Sequence, residues 1–266
     1  MHDRAGRIPG RVALVTGASS GLGAEFAQQL AAAGFGLVLV ARRDDRLQEQ
    51  AYALRTPGRS VEVLPADLGD RAATERVAER LADPRRPIDV LVNNAGFAVG
   101  TPLTAEDAGP HDRAYEVMCR ATLVLGGAAA RAMVTRRQGT IINVSSLAGL
   151  LAMGSYSAAK AWVTSYSQGL SAELRGTGVT TTALLPGWVR TEFHDRPGVG
   201  RTGIPRPLWL QPEPVVRQCL RDAARGRTVS VPSVRYRLIG GFLRHAPRAV
   251  PRGISAYILA RRRNER

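Results

Sequence analysis

Short apolar runs alternate with helix-length segments along most of this chain of 266 residues. Apolar runs bounded by turn signals are typical of strands buried on both faces, which occur in parallel sheets covered by helices. The predicted strands are Arg11–Thr16, Leu37–Val40, Val61–Leu64, Val90–Val92, Thr140–Val144, Val179–Leu185 and Thr228–Val231. The predicted helices between them are Ala24–Ala33, Asp44–Leu54, Arg71–Leu81, Asp112–Arg136 and Tyr156–Arg175.

This alternation predicts an α/β fold, a doubly wound parallel sheet of about seven strands with helices on both faces. No internal repeat or low-complexity linker divides the chain, and its length suits one large domain, so residues 1–266 are predicted to form a single domain.

Glycines follow the first predicted strand at Gly17, Gly21 and Gly23. In open parallel sheets a glycine-rich first turn lets a dinucleotide pyrophosphate approach the N-terminus of the following helix. The spacing is Gly-x3-Gly-x-Gly rather than the common GxGxxG. The turn therefore predicts a dinucleotide site, and a strand-to-helix turn without a ligand is the alternative.

Lys160 is the only lysine of the sequence, and Tyr156 lies four residues before it. In a helix this spacing places the phenol and the ammonium on one face. A tyrosine titrates near pH ~10, so acid–base chemistry near neutrality requires a pKa lower by about 3 units, or roughly 4 kcal/mol. A close cation supplies about 1 to 3 units. The pair predicts a proton donor and acceptor, and an exposed lysine beside a packed tyrosine is the alternative.

Several motifs in order resemble those of the short-chain dehydrogenase/reductase family. Thr16–Gly23 resembles its TGxxxGxG motif, and Asn93–Gly96 resembles its NNAG motif. Ser145 and Ser146 end the fifth strand, Tyr156-x3-Lys160 follows, and Pro186-Gly187 with Thr191 resembles a PG-x3-T element. The resemblance spans about residues 11–191 and implies a Rossmann-type NAD(P)-binding domain.

The resemblance implies a carbonyl reductase or alcohol dehydrogenase with Tyr156 as acid and base, Ser146 bonded to the same substrate oxygen, and Lys160 on the nicotinamide ribose. Ser145 remains an alternative to Ser146, since either hydroxyl could instead cap local backbone. The oxidised nicotinamide would supply a second positive charge near Tyr156. The implied cofactor-binding residues are Thr16, Gly17, Ser19, Ser20, Gly21, Leu22, Gly23, Asp67, Leu68, Asn93, Ala95, Gly96, Tyr156, Lys160, Pro186, Gly187, Val189 and Thr191.

The end of the second predicted strand bears on the choice of nicotinamide. A carboxylate there binds the ribose 2′-OH of NAD, but this chain has Ala41 followed by Arg42 and Arg43. An arginine pair suits a 2′-phosphate through charge-assisted hydrogen bonds. The sequence therefore favours NADP(H) over NAD(H), although arginine is abundant throughout and the pair could be solvated residues at a helix start.

One position departs from the family pattern. The family's fourth catalytic residue, an asparagine in the long central helix, aligns with Met118, and a methionine cannot replace an amide in a hydrogen-bonded water chain. Met118 favours an alternative function, a catalytically idle nicotinamide-binding sensor or scaffold, which the intact Ser146, Tyr156 and Lys160 oppose.

Composition excludes several classes of site. No metal site or disulfide framework is expected, because the cysteines and histidines do not occur at the spacings typical of metal ligands. The chain has two cysteines, Cys119 and Cys219, and four histidines. The net charge of +15 is compatible with a nucleic-acid or anionic-membrane surface, but the almost exclusive use of arginine instead of lysine is more typical of a coding bias. Because no DNA-reading motif is present, no nucleic-acid partner is expected. Without a signal-like start or a run of 18 uncharged apolar residues, a cytoplasmic protein is predicted.

The resemblance implies a homo-oligomer, a dimer or tetramer.

Two segments lie outside these motifs. The proline-rich stretch at about residues 190–214 is predicted to be a lid over the substrate site. The tail at about residues 235–266 is predicted to form two basic amphipathic helices, packed on the domain or its oligomer mate, or lying on an anionic membrane. Apolar residues near the site, among them Leu150, Met153 and Trp188, favour an apolar small-molecule substrate, a ketone or secondary alcohol.

Overall fold

The computed structural model describes residues 10–191, 205–247 and 249–264. Seven strands form one parallel sheet in the order β3-β2-β1-β4-β5-β6-β9. Two further strands, β7 and β8, form a short parallel ladder at the carboxyl edge. The strands are β1 Val12–Thr16, β2 Gly36–Ala41, β3 Val61–Pro65, β4 Val90–Asn93, β5 Gly139–Val144, β6 Val179–Leu184, β7 Trp188–Val189, β8 Trp209–Leu210 and β9 Val229–Ser230.

Helices cover both faces of the sheet. The helices are α1 Gly21–Ala32, α2 Asp44–Leu54, α3 Arg71–Ala82, α4 Gly109–Tyr115, α5 Ala121–Thr135, α6 Ser155–Glu173, α7 Pro212–Ala224, α8 Val234–His245 and α9 Ala249–Asn264. One apolar core lies between the sheet and α1, α2 and α7, and a second lies between the sheet and α3, α5 and α6. The predicted doubly wound α/β fold is therefore confirmed.

The long central helix was predicted without a break, but a π-helical turn at Glu116–Arg120 joins α4 to α5. Such turns are rare in proteins, and those that occur are often found at functional sites. From Gly109 to Thr135 this helix is long and apolar enough, by length and composition alone, to cross a membrane, the single such helix among the described residues. Because 61% of its most apolar window is buried in the protein, it is a core helix.

Helix α7 was not predicted from the sequence. Pro212 and Pro214 suggested continued loop, but a proline in the first turn of a helix lacks only an amide hydrogen that would be unbonded there anyway. Strand β8 and helix α7 occupy the last part of the segment, at about residues 190–214, that was predicted to be a lid. Residues 192–204 of that segment, including Phe193 and His194, lie outside the described residues.

Candidate active site

The strand order reverses between β1 and β4, which are neighbours at the centre of the sheet. Ligands of open parallel sheets bind beyond the carboxyl ends of the strands at such a point. A cleft of about 370 Å³ opens there, and it extends from the β1–α1 turn past the ends of β4 and β5 to α8.

The β1–α1 turn has a backbone that requires glycine. Gly17 has φ +62°, in the left-handed region, and a Cβ added to Gly23 would lie 2.1 Å from the Gly17 carbonyl oxygen. The side-chain amide of Asn94 donates to the carbonyl oxygens of Thr16 and Gly17 at 3.0 and 3.2 Å. The turn is thus folded tightly onto α1 and fixed from β4.

The same turn fits a dinucleotide pyrophosphate. It leads into α1, whose N-cap residue Ser20 makes no capping hydrogen bond with its side chain to any described residue. The first amides of a helix attract phosphate when side chains do not satisfy them. On the far side, an added Cβ at Gly96 would lie 3.3 Å from the Met118 sulfur and 3.5 Å from Lys160 Nζ, so the backbone is closely packed at this point.

Tyr156 and Lys160 lie on α6 and face the cleft together. Lys160 Nζ lies 5.8 Å from the centroid of the Tyr156 ring and donates to the carbonyl oxygen of Val144 at 2.7 Å. Ser146, at the end of β5, is hydrogen-bonded to Tyr156. The geometry brings the three predicted catalytic residues into one volume.

The two adjacent serines have different surroundings. Ser145 is buried, donates to the carbonyl oxygen of Lys160 at 2.6 Å, and lies 2.7 Å from Thr164 Oγ1. Ser146 lines the cleft and accepts a hydrogen bond from the amide of Ala148. Ser145 therefore ties β5 to α6, whereas the Ser146 hydroxyl is the one beside Tyr156.

The protonation states differ from those expected from the sequence. Burial raises the pKa of Tyr156 to about 12, against which the hydrogen bond with Ser146 lowers it. Burial lowers the pKa of Lys160 to about 8, against a small opposing effect of Cys119. The expected lowering of the tyrosine pKa is wrong for this structure, because burial raises the pKa more than the hydrogen bond with Ser146 lowers it.

Met118 lies in the π-helical turn and is almost fully buried. It packs with Ala114, Val117, Cys119 and Ala159 in a small apolar cluster. Its sulfur flanks Gly96 on the side of Lys160. A Cβ added at Gly96 would be near both the Met118 sulfur and Lys160 Nζ, so an apolar side chain rather than an amide lies in the neighbourhood of the ammonium.

A histidine bridge positions the start of α6. The His111 ring lies 3.0 Å, through Nε2, from the carbonyl oxygen of Pro102 and 2.6 Å, through Nδ1, from the hydroxyl of Ser155. Because a carbonyl only accepts, Nε2 carries the proton and Nδ1 accepts from Ser155. The loop after β4 is thereby tied to the residue directly before Tyr156.

The end of the cleft beside β2 and β3 carries several arginines. Arg113 of α4 donates to Asp67 at 2.7 Å, and the other oxygen of Asp67 accepts from the amide of Gly69 at 3.0 Å. Burial alone would raise the pKa of Asp67, but these bonds and the charge of Arg42 bring it below its ordinary value. Arg43 donates to the Ser19 hydroxyl at 3.4 Å. Asp67 is thus a paired anion among cations.

Most of the predicted cofactor residues line this cleft, and three do not. The Thr16 hydroxyl accepts from the amides of Asn94 and Ala95 at 2.9 and 3.1 Å, so it joins β1 to β4. The Asn93 amide is buried and donates to Asn143 at 2.9 Å. With Gly23, these residues hold the shape of the cleft rather than form its surface.

Three residues of the site, Asn94, Arg113 and Tyr236, were not predicted from the sequence. Asn94 was signalled by the NNAG motif, whose second asparagine reaches the glycine turn. Arg113 and Tyr236 come from α4 and α8, and no local pattern places either one at the cleft. Within the described part of the chain, no three His, Cys, Asp or Glu residues are grouped to hold a metal ion.

Comparison with known proteins agrees with this geometry. The family model described as short chain dehydrogenase matches residues 11–197. A short chain dehydrogenase of Pseudocercospora fijiensis is 30% identical over 236 residues, which cover 86% of this chain and 74% of the relative.

Two solved structures are similar as well. A short-chain dehydrogenase from Sphingobium yanoikuyae in complex with NADPH has a TM-score of 0.80 and 34% identity, covering 87% of this chain and 92% of its own. The bulky-bulky ketone specific alcohol dehydrogenase from Comamonas testosteroni has a TM-score of 0.76 and 29% identity, covering 91% and 96%. The chain therefore belongs to the short-chain dehydrogenase family of NAD(P)-dependent oxidoreductases.

Proposed function

We propose that this protein is an NADP(H)-dependent oxidoreductase that interconverts a carbonyl and a secondary alcohol on an apolar small molecule. The observation that carries the proposal is the meeting of Ser146, Tyr156 and Lys160 in one cleft with the glycine turn of β1 and α1. The proton-handling group and the place for a dinucleotide thus share one volume.

The nicotinamide cofactor, when bound, supplies or accepts the hydride. Gly17 and Gly21 of the turn and the first amides of α1 would hold its pyrophosphate. Lys160 would hold the ribose next to the nicotinamide. Thr191 would contribute at the pyrophosphate, because its side chain lies beside Gly21, where an added Cβ would be 3.2 Å from Thr191 Cβ.

Tyr156 gives its proton to the carbonyl oxygen during reduction and takes one back during oxidation. A pKa of about 12 keeps the phenol protonated at neutral pH, which is the state that a proton donor needs. Ser146 donates to the same oxygen and steadies the phenol. Lys160, held against Val144, brings a positive charge that stabilises the phenolate left after proton transfer.

The preference for NADP(H) rests on the charge at the end of β2. Ala41 stands where an NAD-specific site would carry a carboxylate. Arg42 and Arg43 line the cleft, and Arg113 neutralises the nearby Asp67. Three guanidinium groups around one paired carboxylate favour a 2′-phosphate. The NADPH bound to the similar Sphingobium dehydrogenase supports the same choice.

The substrate end of the cleft is apolar. Its lining there includes Leu151, Met153, Trp188, Ile239 and Leu243. Such a surface binds hydrocarbon or aromatic groups on both sides of a carbonyl more readily than a polyol. The bulky-bulky ketone specificity of the similar Comamonas alcohol dehydrogenase supports a substrate of this class.

A catalytically idle, nicotinamide-binding sensor is the second candidate, and Met118 favours it. Methionine offers no hydrogen bond with which to hold a water beside Lys160. Proton resupply to Tyr156 through the protein interior would then be slow. A Met118→Asn variant tests this point, since a gain in turnover would identify Met118 as the limiting residue.

That the protein forms a homo-oligomer, a dimer or tetramer, and acts in the cytoplasm remain proposals. The long helices α5 and α6 are the surfaces that the family resemblance assigns to subunit contacts.

The direct test is a screen of aryl and alkyl ketones with NADPH, in which the decrease in NADPH absorbance measures ketone reduction. Wild type should reduce at least one apolar ketone, and Tyr156→Phe should lose at least about 1,000-fold in kcat while it binds NADPH normally. Tyr115→Phe is the matched control, because Tyr115 is 56% exposed and should be dispensable. Turnover by Tyr156→Phe at the wild-type rate would overturn the assignment.

A further inference from the structure

Helix α8 is fastened to the rim of the cleft by one buried tyrosine. The Tyr236 hydroxyl donates to the carbonyl oxygen of Leu208 at 2.6 Å and accepts from the amide of Trp188 at 3.2 Å. Its ring lies against Gly187, where an added Cβ would be 2.0 Å from the ring. The inner face of α8 is therefore a fixed wall of the cleft.

The outer face of α8 exposes an apolar stripe. Val234, Leu238 and Phe242 follow at spacings of four residues and are 63%, 71% and 61% exposed. Residues four apart lie on one face of a helix, so these side chains form a row about 12 Å long. Ile239, which is 38% exposed, widens the stripe. Single exposed apolar residues are ordinary, but a contiguous row marks an interaction surface.

The charge around the apolar stripe has one sign. Arg235, Arg237 and Arg244 are exposed on the same helix, which contains no acidic residue. From residue 234 to residue 266 the sequence has nine arginines and one glutamate. A symmetric contact with a second copy would bring these like charges together, whereas an anionic lipid surface attracts them. An apolar helix face edged with arginine is the pattern of helices that lie in a membrane interface.

The apolar stripe is continuous with the cleft. Ile239 belongs to both, and Leu243, one turn further, lines the cleft from the same helix. A bilayer in contact with Leu238 and Phe242 would therefore lie at the mouth of the cleft. An apolar substrate could then pass from lipid to the site along one continuous apolar surface.

We propose that the outer face of α8 docks on an anionic lipid bilayer and that the cleft takes its substrate from that bilayer. Docking on the bilayer is independent of the oxidoreductase function proposed above. The uptake of substrate from the bilayer rests on that proposed function. The partner is thus a phospholipid surface with a net negative charge, rather than a single lipid headgroup in a pocket.

The test is co-sedimentation of the full chain, without cofactor or substrate, with phosphatidylcholine vesicles containing phosphatidylglycerol. Wild type should partition onto these vesicles, and more weakly onto pure phosphatidylcholine or at high salt. The double variant Leu238→Ser with Phe242→Ser should have a partition coefficient onto the vesicles that is lower by about tenfold or more. Tyr52→Ser is the matched control, because Tyr52 of α2 is 81% exposed on another surface and should leave partitioning unchanged.

Thermal unfolding of each variant shows whether the fold is intact, which the exposure of all three side chains predicts. Equal partitioning of wild type and the double variant would overturn the proposal. Absence of wild-type binding would do the same, as would a dimer that the double variant dissociates, since α8 would then be a subunit contact. Because the assay contains no nicotinamide or ketone, its failure leaves the proposed oxidoreductase activity standing.

Discussion

Replacement of Lys160 by methionine tests how the buried lysine affects the stability of the folded protein. Lys160 is 4% exposed, and burial lowers its pKa from 10.5 to about 8. That difference corresponds to roughly 3 kcal/mol by which the charged lysine destabilises the folded state at pH 7. Lys160→Met removes this cost but leaves the Val144 carbonyl oxygen without its donor, which costs about 1 to 3 kcal/mol. The variant should therefore unfold within about 2 kcal/mol of wild type.

The pH dependence isolates the lysine contribution. Because the folded-state pKa is lowered, the unfolded chain holds the lysine proton between about pH 8 and 10.5 while the folded protein releases it. The unfolded state then binds more protons, so this contribution to stability increases with pH. From pH 7 to 9 the free energy of unfolding of wild type should rise by about 1 kcal/mol relative to Lys160→Met.

Urea denaturation of both proteins at pH 7, 8 and 9, under reducing conditions, measures this difference. Burial also raises the pKa of the Cys119 thiol to about 11 and that of Cys219, but both proteins contain these thiols, so their contribution largely cancels. If the free energy of unfolding of wild type minus that of Lys160→Met stays constant or falls as pH rises, the lowered lysine pKa is contradicted. That result would mean that the buried ammonium is as well solvated as in the unfolded chain.

Two further substitutions test other parts of the site. Gly187→Ala should destabilise the protein by about 1 to 3 kcal/mol in thermal or urea unfolding, because the new Cβ would lie 2.0 Å from the Tyr236 ring. Gly241→Ala, on the open side of α8, should instead stabilise it by about 0.5 to 1 kcal/mol, and equal effects would contradict the packing described. Arg113→Gln should weaken NADPH binding relative to NADH by about fivefold in fluorescence titrations, because Asp67 loses its partner. An unchanged ratio of affinities would remove Arg113 from cofactor selection.

Local patterns were sufficient to predict the sheet and the catalytic pair. Apolar runs flanked by turn residues defined the seven main strands, because strands buried on both faces carry few polar side chains. Tyr156 and Lys160 were predicted as neighbours because a spacing of four residues fixes one face of α6. These features depend on geometry within a single strand or helix, which the spacing of residues in the sequence determines.

Features that depend on tertiary contacts were not predictable in the same way. Arg113 meets Asp67 across 46 positions of sequence. Tyr236 reaches Gly187 only because α8 folds back over the cleft. The lowered pKa of Lys160 depends on burial, which the spacing of four residues from Tyr156 does not specify. A sequence supplies the chemistry of such side chains, whereas the fold decides which of them meet.

Titration of protein fluorescence with NADPH and, separately, NADH is the most direct test of the nicotinamide site, because it requires no substrate. We expect saturable binding of both cofactors at the cleft, with NADPH at least about tenfold tighter. Equal affinities, or tighter NADH, would contradict the role given to Arg42 and Arg43. Binding of neither nucleotide would contradict the claim that this cleft serves a nicotinamide-dependent oxidoreductase.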